Sequence, residues 1–466
     1  MSIKPKQWVP HAYQEEAVKH NIECLIREGG SGLFLQPGLG KTSITLETFK
    51  RLKERHRART MLIVAPLRVC YLVWPNEIQK WLNFYGLTCT ILHGADKEAK
   101  LRRKTDIYII NYEGLSWLLE QRWKPTDVIV FDELTRMKSW TAKRVKEIRY
   151  FLPLFRFRIG LTGTPAPHGL EDLFSQIFML DLGKRLGTKI THFRTKYFQP
   201  ANKYSYKLEP YSWAKEEIAS RLKDLIYTVN PNDCIDLPEI LYNPIYIELP
   251  DILKGQYREL EKEFILELNK HQTITAVTAA TLSNKLRQFL SGNVYIPGLN
   301  PTMREVATVH THKLDVMKEF VENLNGTPLF VGYHYQHELV ALQKAFPEAK
   351  TIGSRVKMEE SQKIQADWNA GKIPMLLGQP ASVGHGLNLQ ESCNNVLFYS
   401  LDFNYENHEQ FIKRVARQGQ KHSTVVINII MYKDTIDEKI LRVLEERGDL
   451  QAFMLDYLDR NGENYV

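Results

Sequence analysis

Short, mostly apolar runs recur through the first third of the chain, at 33–35, 61–65, 107–110, 128–131 and, interrupted by Arg158, 157–161, and amphipathic stretches such as 42–55 separate them. A run of three to five apolar residues with no polar alternation fits a strand buried on both faces. Helices between such strands predict a parallel α/β sheet. The pattern changes over residues 186–305, where long polar, helix-forming runs such as 213–225 and 254–269 take over and Pro231, Pro238, Pro244 and Pro250 punctuate them. This predicts helical protrusions and a linker. From residue 306 the α/β rhythm returns, with strands expected at 329–332, 375–378, 396–400 and 425–430 and a closing helix at 435–447. The expected organisation is therefore an α/β lobe over 1–185, a helical insertion over 186–305, a second α/β lobe over 306–458 and a frayed tail over 459–466.

Composition changes this picture little. With 466 residues, 43% of them hydrophobic and 25% charged, the chain can bury large cores and is not of the disordered class. Lys and Arg outnumber Asp and Glu by 62 to 54, a charge of +8 that suits a polyanionic partner without requiring one. Cys24, Cys70, Cys89, Cys234 and Cys393 form no CxxC pair, which argues against a zinc site or a disulfide framework. No apolar run approaches the ~18 residues of a membrane span, and the first residues carry no apolar signal segment.

The strongest chemical signal is Pro37-Gly38-Leu39-Gly40-Lys41-Thr42, placed between an expected strand and an expected helix. Glycines there let the backbone turn tightly and aim N–H groups at a phosphate, and the helix N-terminus adds a positive field. Lys41 can reach the β- and γ-phosphates and Thr42 can ligate Mg²⁺. The general pattern has a further glycine where this chain has Leu35. A second signal is the apolar run 128–131 followed by Asp132 and Glu133. Alone such a run is common. About ninety residues after Lys41, it supplies a metal-holding carboxylate in Asp132 and a water-activating one in Glu133. Thr162 and Thr164, in the string Leu-Thr-Gly-Thr-Pro, can sense a γ-phosphate or form a plain turn. Near the C-terminus Gln410, Arg414 and Arg417 share one stretch; on a helix the two arginines would lie on one face, either solvated or offered to a transferring phosphoryl group. His310 and His312 have metal-pair spacing without an evident third ligand.

Taken together these motifs resemble the Swi/Snf-type branch of the superfamily-two helicases, the chromatin-remodeller-like translocases. The resemblance covers about residues 10–445 and adds Tyr13-Gln14, Ala65-Pro66-Leu67, Trp74 with Glu77, Asn111-Tyr112-Glu113, Asp236-Leu237-Pro238, Lys285-Leu286-Arg287, His312-Lys313-Leu314 and the segment 384–389 to the set. It implies two RecA-like lobes in tandem with a helical insertion, and ATP and Mg²⁺ as cofactors. By position, Gln14 resembles the glutamine that reads adenine, and Gly38, Leu39, Gly40, Lys41 and Thr42 the phosphate loop. Asp132 and Glu133 resemble the metal-holding and water-activating pair. Thr162 and Thr164 resemble a coupling segment. Arg414 and Arg417 resemble arginine fingers beside Gln410, and Gly386 and Asn388 a loop linking nucleotide to nucleic acid. The chain departs from the family at Pro10-His11-Ala12, where Leu-Arg-Pro is usual, at Ala166-Pro167-His168, and at Thr135, where the acidic box usually ends in histidine.

The resemblance also implies backbone contacts to nucleic acid from Arg68, Asn111, Tyr112, Lys138, Tyr333 and Ser382. The expected function is an ATP-dependent translocase on double-stranded DNA, a nucleic-acid-stimulated ATPase. The alternatives are a strand-separating DNA or RNA helicase and an ATP-switched subunit of a larger nucleic-acid machine. A compact bacterial or phage form is expected, cytoplasmic and monomeric, with a protein partner for targeting.

Overall fold

The computed structural model describes residues 5–121, 123, 126–200, 208–230, 237–270, 276–297, 304–353, 356–383 and 387–458. The chain divides into two compact units, the first formed by residues up to Asp236 together with those from Arg447, the second by Leu237–Glu446.

The strands, in chain order, are β1 Gly30–Phe34, β2 Met61–Ala65, β3 Cys89–Ile91, β4 Ile107–Asn111, β5 Val128–Asp132, β6 Phe157–Thr162, β7 Phe198–Pro200, β8 Leu208–Pro210, β9 Ile226–Tyr227, β10 Glu239–Ile247, β11 Asn293–Pro297, β12 Arg304–Thr308, β13 Leu329–Gly332, β14 Lys350–Ile352, β15 Met375–Gly378, β16 Asn395–Phe398 and β17 Thr424–Tyr432. The first unit is built on a seven-stranded sheet in the order β3-β4-β2-β5-β6-β1-β9, and every adjacent pair is parallel. Met61, Ile63 and Ala65 face one core with Leu33 and Val130, while Leu62 and Val64 face another with Phe34 and Phe131. Side chains alternate across a strand, so an unbroken apolar run feeds a core on each face. The first core is covered by the helices α1 Ala12–Glu28 and α2 Lys41–Glu54, through Val18, Leu25, Ile44 and Phe49. The second is covered by the helices Lys143–Phe151 and Glu171–Asp181, through Ile148, Phe174 and Ile177.

The second unit repeats the plan with a six-stranded sheet in the order β10-β17-β16-β13-β15-β14, again parallel throughout. Phe330, Leu376, Val396 and Ile427 face one core, and Leu329, Val331, Leu377 and Leu397 the other. Two parallel sheets with helices on their faces give the expected α/β class of two RecA-like lobes.

The stretch 186–305 is shared between the units. Ile218, Leu222 and Ile226 pack into the first unit's core and β9 pairs with β1, whereas β10 pairs with β17 over its whole length. Pro244, read in the sequence as linker punctuation, sits inside β10. It is tolerated because β10 is an edge strand, where a residue without an N–H forfeits no ladder bond on its outer side. The helical runs of this region appear as Ala214–Leu222 and Asp251–Lys270, and two antiparallel pairs, β7 with β8 and β11 with β12, accompany them. The closing helix expected to end near residue 447 continues to Leu458. The expected tail, 459–466, lies outside the described residues. Among the described residues no helix is long and apolar enough to cross a membrane.

Candidate nucleotide site

In the first sheet β5, β6 and β1 are neighbours, and their register sets Asp132 against Leu161 and Phe34 against Thr162. The loop after β1, the carboxylates ending β5 and the turn ending β6 therefore meet at the strands' carboxyl ends, where open α/β sheets bind ligands.

The loop is shaped by Gly38 and Gly40, with φ of 96° and 80°, conformations in which a side chain is strained. Gly40 is the N-cap of α2, so the first N–H groups of that helix open onto the loop. Leu35, where the general motif has glycine, directly follows β1 with its side chain fully buried in the core. Its backbone carbonyl accepts from Lys41 Nζ at 2.6 Å, and the Gln36 carbonyl accepts at 3.2 Å. The ammonium is thus held across the mouth of the loop by weakly committed carbonyl partners that a phosphate can replace. Gln14 lies on the other side: a Cβ on Gly40 would collide with its Nε2. The Gln14 Oε1 accepts from the His11 N–H at 3.0 Å, and the Tyr13 hydroxyl donates to the Leu39 carbonyl at 3.2 Å. Replacement of the usual Leu-Arg-Pro by Pro10-His11-Ala12 has left a backbone donor at His11 that orients the glutamine amide. The residues fit a nucleotide, with Gln14 on the base side and Lys41 and Thr42 on the phosphate side.

Asp132 accepts from the indole N–H of Trp74 at 2.8 Å. Burial pushes its carboxyl above the ordinary 3.8, opposed by the Trp74 bond and by the positive charge of Lys41. Asp132 lies within electrostatic reach of Lys41, which Thr42 follows at the start of α2, a carboxylate and a hydroxyl of the kind that suit a divalent ion. A carboxylate whose folded pKa lies above its unfolded value costs stability as the pH rises through that interval, and the cost persists at neutral pH. Asp132→Asn, which keeps an acceptor for Trp74, is therefore expected to raise Tm at pH 7. The gain should close as the pH falls below about 4, as thermal denaturation at several pH values will test.

Glu133 takes a left-handed backbone conformation (φ 67°, ψ 64°) and opens the 3-10 turn Leu134–Met137. The Tyr112 hydroxyl lies 2.9 Å from the Asp132 carbonyl and 3.1 Å from that of Glu133. Thr135, where the family has histidine, donates to Glu133 Oε1 at 2.9 Å. At the end of β6 the Thr164 N–H donates to the Thr162 hydroxyl at 3.0 Å, folding the turn on itself. A Cβ on Gly163 would lie 3.1 Å from Pro37 Cδ, so this turn packs directly against the phosphate loop. Gln451, buried on the C-terminal helix, clasps it from behind: its Nε2 donates to the Gly163 carbonyl at 2.8 Å and its Oε1 accepts from the Ala166 N–H at 3.4 Å.

On the second unit the helix Tyr405–Ile412 stops before the arginines, so Arg414 and Arg417 are not on one helical face as expected. They follow in tight turns, with Arg414 N bonded to the Phe411 carbonyl and Val415 N to that of Ile412. Val415 and Ala416, both buried, lie in these turns beyond the helix end. The turns nevertheless bring both guanidinium groups to one segment. Arg414 Nη1 donates to the Leu387 carbonyl at 3.1 Å, and Arg417 Nη1 to Asn388 Oδ1 at 2.5 Å. Gln410 is buried beside them, its carbonyl accepting from Arg414 Nε at 3.1 Å. Gly386 lies outside the described residues.

The expected nucleic-acid contacts fare unevenly. Asn111, Tyr112 and Tyr333 are buried, Tyr112 with its hydroxyl turned inward and Asn111 bonded to Glu113. Arg68, Lys138 and Ser382 are half-exposed. His312 bonds to the Tyr432 hydroxyl, and among the described residues no group of three or more His, Cys, Asp or Glu could hold a metal. Sequence reasoning assigned no role to Trp74, Tyr112 as a clamp on the acidic pair, or Gln451. Trp74 and Tyr112, both in family motifs, carried a signal; Gln451 lies hundreds of residues from its partners.

Comparison with known proteins shows the family. Residues 13–290 match the SNF2-related domain and residues 312–419 the helicase conserved C-terminal domain. "Putative protein p41" of Acyrthosiphon pisum secondary endosymbiont phage 1 is 31% identical over 98% of this chain and 100% of that protein. The chromodomain-helicase-DNA-binding protein 1-like of Mus musculus is 25% identical over 96% of this chain, which spans 50% of that protein's length. A solved Sulfolobus solfataricus SWI2/SNF2 ATPase core in complex with dsDNA is 20% identical, with 99% of each chain covered and a TM-score of 0.44. The chain thus runs the length of its phage relative but spans half or less of the remodelling proteins it matches. The chain belongs to the SNF2-related family and is an SNF2-type ATPase core carrying a helicase C-terminal domain.

Proposed function

We propose that this protein is a nucleic-acid-stimulated ATPase that uses hydrolysis to move along double-stranded DNA without stably separating its strands. What supports the reading is that the residues hydrolysis would use as a set stand together: Lys41, Asp132 and Glu133 at the carboxyl ends of the first sheet, and Arg414 and Arg417 both bonded to 387–388 on the second unit. A protein using nucleotide only as a switch has no need of that set. Relatives named as chromatin-remodelling factors favour a motor over a switch.

In this reading Gln14 selects the base, the N–H groups of the Gly38–Gly40 loop and Lys41 hold the phosphates, and Thr42 and Asp132 hold Mg²⁺. The metal, when bound, neutralises charge on the β- and γ-phosphate oxygens. Glu133 takes a proton from the attacking water, and Arg414 and Arg417 stabilise charge on the transferring phosphoryl group. Thr162 and Thr164, packed against the loop, register the change and pass it to the DNA-holding surface, for which Arg68, Lys138 and Ser382 are the accessible candidates.

Steady-state hydrolysis should be measured without nucleic acid and with single-stranded DNA, duplex DNA and duplex RNA. Duplex DNA is expected to stimulate most. Because the contacts are to phosphates, the duplex concentration for half-stimulation should rise steeply with salt and vary little with sequence. Absence of stimulation by every nucleic acid would overturn the motor reading.

A further inference from the structure

Thr135 stands where the family has a histidine, and it does something specific in this fold. Its side chain is 1% exposed and its hydroxyl donates to Glu133 Oε1 at 2.9 Å. The turn that carries it cannot drift. The Leu134 side chain fills the space left by Gly160 on β6, where a Cβ would approach Leu134 Cδ2 to 2.6 Å. The Arg136 N–H donates to the Glu133 carbonyl at 3.0 Å, and the Lys138 N–H to the Thr135 carbonyl at 3.1 Å. Tyr112, itself buried, holds the Asp132 and Glu133 carbonyls from the other side. Glu133 sits in a left-handed conformation, a strained position for a residue with a side chain, retained where surrounding contacts over-determine it.

A glutamate has three side-chain torsions, and a general base must present one carboxylate oxygen to the attacking water. The backbone clamps fix where the side chain starts; the Thr135 hydroxyl fixes where it ends. It holds Oε1 and so limits how the carboxylate can rotate. We propose that Thr135 is a positioning residue for the hydrolytic step, orienting Glu133 through this hydrogen bond in place of the longer-range link that a histidine provides. Thr135 exchanges no proton. The proton taken from water passes to the Glu133 carboxylate, the water oxygen bonds to the γ-phosphorus as the bond to the β-γ bridging oxygen breaks, and the Thr135 hydroxyl stays a donor throughout. The inference rests on the assignment of Glu133 as the base.

The test compares Thr135→Val, Thr135→Ala and Thr135→Ser with the unmodified chain, in hydrolysis stimulated by duplex DNA and in binding of a fluorescent ATP analogue. Valine has nearly the shape of threonine and lacks only the hydroxyl; alanine guards against a packing fault in the valine variant. A hydrogen bond to a charged group is worth enough that its loss should lower kcat by about tenfold to a hundredfold in both. KM for ATP and analogue affinity should stay within about twofold, and serine should restore kcat to within about threefold. A merely structural role would not give this split between kcat and KM, nor rescue by serine. Unchanged kcat in Thr135→Val and Thr135→Ala, or a serine variant as slow as they are, would overturn the proposal. Glu133→Gln in the same series separates the two failures. If it still hydrolyses ATP, the base assignment is wrong; if it is inactive while Thr135→Val is fully active, only the role of Thr135 is wrong.

Discussion

Glu133→Gln is expected to lower kcat for ATP hydrolysis by about a hundredfold to ten-thousandfold while leaving nucleotide affinity close to that of the unmodified chain. The amide has the size of the carboxylate and keeps an oxygen that can accept from the Thr135 hydroxyl, so the turn should survive. What it loses is the capacity to take a proton at a pH where a carboxylate is ionised. Lys41→Ala is the contrasting control. Its ammonium bonds to the Leu35 and Gln36 carbonyls beside the loop, so its loss should weaken phosphate binding and raise KM as well. Single-turnover hydrolysis beside equilibrium binding of a fluorescent analogue distinguishes the two. A Glu133→Gln chain that binds and hydrolyses normally would remove Glu133 from the chemistry.

Arg417→Ala is expected to reduce stimulated hydrolysis by about a thousandfold, with little loss of fold stability. The guanidinium is poorly paired: Nη1 reaches Asn388, Nε meets no acceptor, and burial pushes its pKa below the ordinary arginine value. A half-exposed cation with an uncommitted donor adds little to the fold, and its natural complement is a group carrying spread negative charge. Arg417→Lys retains the charge without the planar fork and should recover only part of the rate. Thermal denaturation must accompany the kinetics. A large fall in Tm, or a rate that survives the alanine substitution, would show that Arg417 serves structure instead.

Much of this protein was legible along the chain, for reasons the structure makes plain. β2, β13 and β15 occur at the positions expected, because each is a short apolar run buried on both faces and its signal is local. The phosphate loop was equally legible. Its glycines, lysine and threonine act through backbone conformation and a helix start that six adjacent residues specify. Other elements were not. β9 is two residues long, and β10 is an edge strand with a proline whose residues are all at least partly exposed, apolar ones included, so neither carries a periodicity to read. Both are strands only because β1 and β17 offer free edges to them. The arginine stretch reads as helix by spacing, but the helix ends at Ile412 and tight turns carry the chain through the arginines.

The sequence by itself determined the two α/β halves, the family, and which residue types meet a nucleotide, since each depends on neighbours within a turn or a strand. Tertiary structure alone decided how those residues are held. Trp74 reaches Asp132 across 58 positions, Tyr112 reaches Asp132 and Glu133 across 20 and 21, and Gln451 reaches Gly163 across 288. It also turned Tyr112 from an expected surface contact into a buried clamp. Such bonds are set by which strands lie side by side and how far a side chain extends once they do. Adjacent residues in the chain do not encode that; packing of the whole sheet does.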